Sequence, residues 1–169
     1  MIEIDALLQR RSIRRYKHEP VSDDDVKYIL RAGMSAPSAG NERPWHFIIV
    51  RERRSLDQIM TFQPYSQMMR EAPMAILVCG DAKAEKYKGF WPQDCAAAME
   101  NMLLAACTRG LGSVWLGIYP VEERMRPMAD HMGLPSHVMP FSLMVLGHPA
   151  EEKPFSDRYD HARVHDERW

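Results

Sequence analysis

The sequence predicts an α+β or three-layer domain, on two observations. Apolar runs suited to buried strands occur at residues 45–50, 74–79, 113–118 and 141–146, and helical patterns separate them. The longest helical pattern, residues 93–109, lies between the second and third runs, and its apolar residues cover much of the helix circumference. The chain of 169 residues suits a single domain, residues 1–169, with a proper core. The sequence does not fix the order of the strands.

Two helices are predicted in the N-terminal region. Residues 2–10 form a short amphipathic pattern. Ser22 precedes three aspartates, as expected of an N-cap followed by acidic groups at the positive end of a helix dipole. The apolar rhythm that follows predicts a buried helical stripe that ends near Ser35, two residues before Pro37.

The middle of the chain alternates loops with buried segments. Residues 36–45 consist of turn formers and small residues, which let a backbone approach a flat ligand closely, although most such stretches are ordinary connectors. Residues 55–60 predict a short helix, whereas residues 61–71 fit no element. Residues 83–91 are polar with three aromatic side chains, a composition that suits a mobile flap.

The long helix has recognisable ends. Pro92 stands where its first turn would begin, and Gly110 stands where a C-cap would end it. A further helix is expected over residues 121–132, kinked or interrupted at Pro127. The charged segment 149–169 ends in a tryptophan, and such a tail usually docks on another surface.

Composition and charge exclude several classes of function. The formal net charge is −1, so the chain lacks the global basic field that nucleic-acid binding usually shows. Three cysteines without C-x-x-C spacing argue against a disulfide scaffold or a zinc ribbon and fit a reducing cytosol. No apolar run approaches the ~20 residues of a membrane helix, and the N-terminus does not resemble a signal peptide. We therefore expect a cytoplasmic protein with neither a nucleic-acid nor a membrane partner.

The densest cluster of anion-binding groups is residues 10–15, where four arginines accompany Ser12. Arginine offers planar, forked donors that match a phosphate bidentately, and a serine hydroxyl can add one more hydrogen bond. If the chain is extended beyond Ser12, Arg10, Ser12 and Arg14 could face one ligand while Ile13 packs inward. On charge alone, a solvated basic turn is the more common structure.

Other motifs argue against familiar sites. The G-L-G at residues 110–112 lacks the third glycine of a dinucleotide fingerprint and follows a helix instead of opening one, so a Rossmann site is not expected. His161 and His165 stand four apart with Asp157 nearby, but surface histidines explain this spacing better than a metal site. No serine or cysteine has an evident base partner, so an enzyme would need a cofactor to carry its chemistry.

Three stretches, taken in order, form a recognisable pattern. They are Arg10-Arg11-Ser12-Ile13-Arg14, Pro37-Ser38-Ala39-Gly40-Asn41-Glu42-Arg43-Pro44-Trp45 and Gly110-Leu111-Gly112-Ser113-Val114-Trp115-Leu116-Gly117. By their order and spacing the chain resembles the FMN-dependent nitroreductase family over nearly its whole length, including residues 147–149 and the tail from Arg158 to Trp169. The resemblance implies a three-layer α/β/α fold with a mostly antiparallel central sheet and a buried central helix.

The resemblance also implies a homodimer with two FMN sites at the subunit interface, each built by both chains. Arg10, Arg11 and Ser12 would hold the ribityl phosphate and the adjacent chain, and Arg158 would return to the phosphate. Arg14 would approach the pyrimidine edge of the ring, where a guanidinium should stabilise the negative charge of the reduced flavin.

The flavin ring would be contacted from two sides. The partner subunit would supply Pro37, Ser38, Ala39 and Asn41. Trp115, Leu116 and Gly117 would lie along the ring, with one backbone N–H pointing at flavin N5. The tail, about residues 150–169, would dock on the partner subunit. Larger relatives often add a polar side chain from around residues 65–69, and no counterpart is evident here.

On this resemblance we expect an oxidoreductase that transfers hydride from NAD(P)H through FMN to a small-molecule acceptor, a nitroaromatic, a quinone or a similar compound, by a ping-pong mechanism. The flavin would carry the chemistry, so no catalytic side chain and no metal are expected. Other flavin reactions, such as enone reduction, dehalogenation or flavin breakdown, stay open. A non-catalytic flavin-binding module with a regulatory role is a further alternative.

Overall fold

The computed structural model describes residues 4–169, which form five helices and four strands. The helices are α1 (Ile4–Gln9), α2 (Asp23–Met34), α3 (Arg53–Phe62), α4 (Trp91–Thr108) and α5 (Glu122–Met132). The strands are β1 (Trp45–Val50), β2 (Met74–Asp81), β3 (Gly112–Gly117) and β4 (Val138–Gly147). Single 3₁₀ turns occur at Ala39–Asn41, Gln67–Arg70 and His161–Arg163. Every predicted strand is therefore present, each within a few residues of its expected bounds.

The four strands form one sheet in the order β1-β2-β4-β3, and all three neighbouring pairs are antiparallel. The expectation of a mostly antiparallel sheet is confirmed. Strands β2 and β4 lie in the centre and are buried almost throughout, whereas β1 and β3 form the two edges. The edge position of β3 matters for the site described below.

Helices cover both faces of the sheet, which confirms the three-layer α/β/α architecture. On one face, α2 and α4 pack through Ile29 and Met102 against Ile76 and other residues of the sheet. On the opposite face, side chains of α3 and α5, among them Leu56 and Met128, form a second core cluster. Successive strand residues point to opposite faces, so the sheet contributes to both clusters.

Helix α4 is the buried central helix that its composition predicts. Most of its residues are buried, and Pro92 lies in its first turn as expected. Its close contact with α2 depends on Gly33, where a Cβ atom would lie 2.8 Å from Met102 Cγ. Trp91 begins the helix and packs against the Phe141 ring, so this residue belongs to the core and not to the predicted flap.

Three further predictions concern helices α1, α2 and α5. Ser22 caps α2 by accepting a hydrogen bond from the Asp25 backbone N–H at 3.1 Å, as predicted, and Ser35 is the C-cap. Helix α5 continues through Pro127, so the predicted interruption does not occur. The first helix is confirmed over Ile4–Gln9, and the first two residues of its predicted range lie outside the described residues.

The C-terminal segment beyond residue 150 has little regular structure and is exposed along most of its length. Its large side chains include Phe155 at 62% exposure, Tyr159 at 73% and Trp169 at 101%. Docking of this tail on a partner subunit stays a prediction. Within residues 4–169, no helix is both long enough and apolar enough to cross a membrane.

Candidate functional site

The arginine segment, residues 10–15, is attached to the outer edge of β3. Ser12 forms a parallel bridge with Ser113, and the backbone N–H of Ile13 donates to the Ser113 carbonyl oxygen at 2.9 Å. The Ile13 side chain packs inward, as expected of an extended chain. Gly112 permits this approach, because a Cβ atom there would lie 2.8 Å from Ile13 Cγ2. The sheet thus fixes the backbone from which the arginines project.

Arg10 and Arg11 turn toward the body of the protein. Arg11 donates from Nε to the Pro154 carbonyl at 3.0 Å and from Nη1 to the Leu8 carbonyl at 2.7 Å, while its Nη2 is buried. Arg10 Nε is also buried and lies 3.2 Å from Glu100 Oε1 without hydrogen-bond geometry. Within residues 4–169 neither buried nitrogen, Arg10 Nε or Arg11 Nη2, has a hydrogen-bond partner.

Arg14 and Arg15 point elsewhere. The side chain of Arg14 is exposed, and its backbone N–H donates to the Glu151 carboxylate, which together with the nearby Lys153 lowers the pKa of that carboxyl group. Arg15 pairs with Glu71 at 2.9 Å. Of the four clustered arginines, Arg10 and Arg11 therefore face the same region. Arg14 is exposed, and Arg15 forms an ion pair with Glu71 outside that region.

Two depressions adjoin Arg10 and Arg11. A cleft of 460 Å³ lies between the arginine segment, the start of β3 and residues 149–155. A groove of 200 Å³, lined by Arg10, Arg11 and Arg158, runs along the C-terminal segment. The structure thus brings Arg158 to the same groove as the two arginines. Lys153 adds a further cation at the cleft, where its Nζ donates to the Ser12 carbonyl at 2.5 Å.

The outer edge of β3 continues past Ser113 to the predicted ring-binding residues. A residue's N–H and C=O point to the same side of an antiparallel strand, and successive residues alternate. Because the Ser113 carbonyl faces outward to Ile13, the backbones of Trp115 and Gly117 should face outward as well. The intervening Leu116 has a buried side chain. Its backbone is directed toward β4, so the outward N–H groups belong to Trp115 and Gly117.

Two side chains that the sequence did not indicate hold the end of this edge. The Gly117 carbonyl accepts hydrogen bonds from Gln63 Nε2 at 2.9 Å and from Arg124 Nη1 at 3.0 Å. Arg124 also lies over the Tyr65 ring, 5.2 Å from its centroid. Gln63 lies in residues 61–71, for which the sequence pattern predicts no element. Only the folded chain brings it to β3.

The loop of residues 36–44 forms a separate part of the candidate site. Three residues of this loop have positive φ: Gly40 at 52°, Asn41 at 55° and Arg43 at 48°. Ser38 Oγ accepts from the Arg43 N–H at 3.0 Å, which closes the loop on itself. Tyr87 packs so closely on Gly40 that a Cβ atom there would lie 2.4 Å from the Tyr87 ring.

The structure does not bring the predicted loop residues to the arginines. No hydrogen bond or ion pair found among residues 4–169 joins Pro37, Ser38, Ala39 or Asn41 to the arginine segment. Their predicted role is to contact the ring bound to the other subunit, and that role stays a prediction. The loop is instead held through Ala39, which donates to Asp94 of α4, and through Gly40 and Glu42, which accept hydrogen bonds from residues 86 and 87.

The residues present fit the phosphate of FMN. A buried guanidinium N–H without an acceptor is costly, and buried polar groups are normally hydrogen-bonded. Arg10 and Arg11 each present one such nitrogen, and Arg158 lines the same groove. Phosphate oxygens are suitable acceptors for guanidinium groups, which bind them through charge-assisted hydrogen bonds. A negatively charged oxygen ligand at this place would complete the donors that the protein leaves unpaired.

The chain is similar to known proteins over nearly its whole length. The sequence model of the Nitroreductase family matches residues 7–63 and 60–148. A protein of Methanothermobacter thermautotrophicus, named for a proposed NADH dehydrogenase/NAD(P)H nitroreductase activity, is 47% identical over 98% of this chain and 87% of its own length.

Solved structures give the same result. A proposed NADH oxidase from Clostridium acetobutylicum superposes with a TM-score of 0.94 at 41% identity, covering 98% of this chain and 100% of that one. A proposed nitroreductase from Desulfovibrio desulfuricans, solved in complex with FMN, superposes with a TM-score of 0.85 at 34% identity, covering 98% and 96%.

Replacing Gly40 with alanine tests how tightly the loop is packed. We expect Gly40→Ala to lower the free energy of unfolding by about 2–4 kcal/mol, because it combines left-handed strain with displacement of the Tyr87 ring. Gly133→Ala is the matched control, since Gly133 also has positive φ (63°) but has open space at its Cβ position. The control should cost only about 1–2 kcal/mol. Equal losses of unfolding free energy in the two variants, measured by urea denaturation, would contradict the close packing of Tyr87 on Gly40.

Proposed function

The chain belongs to the nitroreductase family, and from this premise we propose that it is an FMN-dependent oxidoreductase. It transfers hydride from NAD(P)H to a nitroaromatic, a quinone or a similar acceptor by a ping-pong mechanism. NAD(P)H and the acceptor use the same place in turn, so no separate dinucleotide-binding domain is needed. The protein works as a homodimer in the cytoplasm.

One observation carries the proposal: Arg10 and Arg11 line a cleft beside the edge strand β3 and an adjoining groove. The buried nitrogens of Arg10 and Arg11 have no hydrogen-bond partner within the described chain. A flavin phosphate carries a charge of about −2, and removing it from water requires several fixed cations. Lys153 lines the cleft and Arg158 lines the groove, and Arg10 and Arg11 line both. The chain therefore offers a set of cations suited to such a phosphate.

Bound FMN would supply the hydride chemistry, which no side chain of this chain can provide. The protein's part is to bind and orient the cofactor. Gly117 or Trp115 would donate a backbone N–H toward N5, and Gln63 and Arg124 fix the carbonyl of Gly117. Arg14 keeps an exposed guanidinium available for the pyrimidine edge, where it stabilises negative charge. No side chain is required as an acid or a base, because water can supply the protons.

The division of the site supports the proposed homodimer. Within one chain, the loop of residues 37–41 is held by α4 and residues 82–90, apart from the arginine segment. A second subunit would place its own loop against the ring, so each site would contain residues from both chains. The tail after residue 150 exposes Phe155, Tyr159 and Trp169, and docking on the partner would bury them.

Purified protein provides the test of this function. We expect a yellow protein that NADH or NADPH bleaches in the absence of oxygen, and that a nitroaromatic or a quinone recolours. A yellow protein that does not react with either nucleotide would support a non-catalytic flavin-binding module instead. A colourless protein that takes up no FMN would contradict both functions. Turnover with a panel of acceptors, including enones and halogenated compounds, would then identify the preferred reaction.

Arg10→Ala should weaken FMN binding. The loss of one charge-assisted contact to the phosphate should cost ~1.5–3 kcal/mol, or about a 10- to 150-fold increase in Kd. Titration of the apoprotein with FMN measures this change. Arg15→Ala is the matched control, because Arg15 belongs to the same sequence cluster but pairs with Glu71. An unchanged affinity in Arg10→Ala, or equal losses in both variants, would remove Arg10 from the binding site.

Gly117→Pro should slow reduction of the flavin. Proline removes the backbone N–H, and an outward position on an edge strand is where a sheet tolerates proline best. We expect the rate of bleaching by NAD(P)H to fall about tenfold or more, from the loss of one hydrogen bond in the transition state. Gly117→Ala keeps the N–H and meets no atom within 4 Å, so it should reduce at nearly the original rate. Equal rates for both variants would assign the donor to Trp115.

A further inference from the structure

Two carboxyl groups lie buried together behind the loop of residues 36–44. Glu42 is 8% exposed and Asp94, in the first turn of α4, is 5% exposed. Each carboxyl group shifts the pKa of the other, upward for Asp94 and downward for Glu42, so the two side chains lie close together. The reaction proposed above uses neither residue, and no sequence motif singles out the pair.

The pair connects three parts of the chain through backbone N–H groups. Asp94 Oδ1 accepts from Ala39 at 3.0 Å, so α4 holds the loop. Glu42 Oε2 accepts from Lys86 at 2.7 Å and from Tyr87 at 3.2 Å, so the loop in turn holds residues 82–90. These three bonds use one oxygen of each carboxyl group and do not involve the other.

One oxygen of each carboxyl group has no hydrogen-bond donor in the described part of the chain. Glu42 Oε1 and Asp94 Oδ2 are buried, and neither receives a hydrogen bond from any donor in residues 4–169. An ionised carboxylate can only accept, so two carboxylates in contact would leave both atoms unpaired and place two negative charges together. A single proton between them removes both problems, because a protonated carboxyl group donates to its ionised neighbour.

We propose that Asp94 and Glu42 share one proton, and that this proton holds residues 38–42 in the conformation that binds flavin. The first half stands on the geometry of the pair alone. The second half rests on the proposed function, which assigns Ser38, Ala39 and Asn41 to the flavin ring. The two acids are positioning residues: they act through the loop and do not touch the cofactor.

The proton resides on Asp94. Burial raises the pKa of Asp94, and the neighbouring Glu42 and Glu85 raise it further, despite the hydrogen bond from Ala39. Burial also acts to raise the pKa of Glu42, but the N–H groups of Lys86 and Tyr87, with Asp94, outweigh it and keep that pKa below its ordinary value. Asp94 is therefore the donor and Glu42 the acceptor.

The sign of the pH dependence follows from the raised pKa of Asp94. The folded protein binds this proton more tightly than the unfolded chain does, so its contribution to stability is complete below the ordinary aspartate pKa of 3.8. The contribution declines as pH rises from that value and is lost above the raised pKa. The loop should therefore loosen with rising pH. The lowered pKa of Glu42 affects stability only at acidic pH, where protonation of that carboxylate weakens the pair.

Other charged and titratable groups face the pair from each element packed on it. They are Glu85 and Lys86 from residues 82–90 and the Cys95 thiol from α4. Lys86 Nζ donates to the Gly40 carbonyl at 3.1 Å, which places a cation on the loop and partly offsets the pair's negative charge. Glu85 accepts from the N–H groups of Gly89 and Trp91 and adds negative charge that opposes ionisation of Asp94.

Infrared spectroscopy of the apoprotein tests the shared proton without flavin. Wild-type protein at mildly acidic pH should show the C=O stretching band of a protonated carboxyl group. Asp94→Asn should lack it, and so should Glu42→Gln, because an amide paired with a carboxylate needs no extra proton. Glu85→Gln is the matched control and should keep the band. A wild-type protein without the band, or a band that survives both pair variants, would overturn the shared proton.

Amide hydrogen exchange then tests whether the proton holds the loop in place. Asp94→Asn supplies a permanent donor, so the amides of residues 39, 86 and 87 should stay protected as pH rises, while the wild type should lose protection relative to this variant at the same pH. Asp94→Ala should lose protection at every pH. Identical exchange in the wild type and Asp94→Asn between pH 5 and 9 would contradict the proposal that the proton holds the loop.

FMN titration of the same variants tests the functional half. The ratio of the wild-type Kd to that of Asp94→Asn should grow with pH by about tenfold, which corresponds to the loss of one buried hydrogen bond. Using a ratio cancels the titration of the flavin phosphate itself. If the infrared band is confirmed but the ratio of Kd values does not change with pH, the proton does not act on flavin binding. A wild-type protein that binds no FMN would contradict the proposed function, while the infrared and exchange results would still decide the shared proton.

Discussion

The candidate site depends on one hydrogen bond, from the Ile13 N–H to the Ser113 carbonyl. Ser113 lies near the start of β3, and β3 is the edge of the sheet, so its outward backbone groups are available to something other than a strand. The arginine segment occupies the first of them. That contact sets the direction in which Arg10 and Arg11 project, and by strand alternation it also sets which later residues of β3 present an N–H outward. A phosphate site and a ring site then follow from one strand.

Much of the fold could be predicted because its signals are local. A capping serine, a proline in the first helical turn and short apolar runs each depend on residues a few positions apart, and Ser22, Pro92 and the four strands confirm them. The family resemblance supplied what local patterns left open, namely the antiparallel sheet and the choice of three layers. Strand order stayed open because it depends on pairings such as Trp45 with Gly80, which lie far apart in the chain.

The contacts that were missed are those that only the folded chain creates. Gln63 reaches the Gly117 carbonyl across 54 residues of sequence, and Asp94 reaches the Ala39 N–H across 55. Charge density was also an incomplete guide. Four arginines in six residues predict one anion-binding surface, yet Arg15 is directed to Glu71 and Arg10 lies beside Glu100. The sequence shows how many cations are present, but the acids that compete for them come from α4 and from the segment before β2.

The two halves of the candidate site differ in how they are held. Strand β3 itself is fixed by backbone hydrogen bonds to β4 and by buried aliphatic side chains, none of which changes with pH. The loop half has three residues with positive φ near a close contact with Tyr87, and it is held by two acids that leave a proton to be accounted for. A strained loop needs surrounding contacts that compensate for its conformation. Because those contacts here include carboxyl groups, the geometry of the loop is linked to protonation in a way that the geometry of the strand is not. Where one subunit supplies the strand and the other supplies the loop, only the loop's contribution to ring binding would respond to pH.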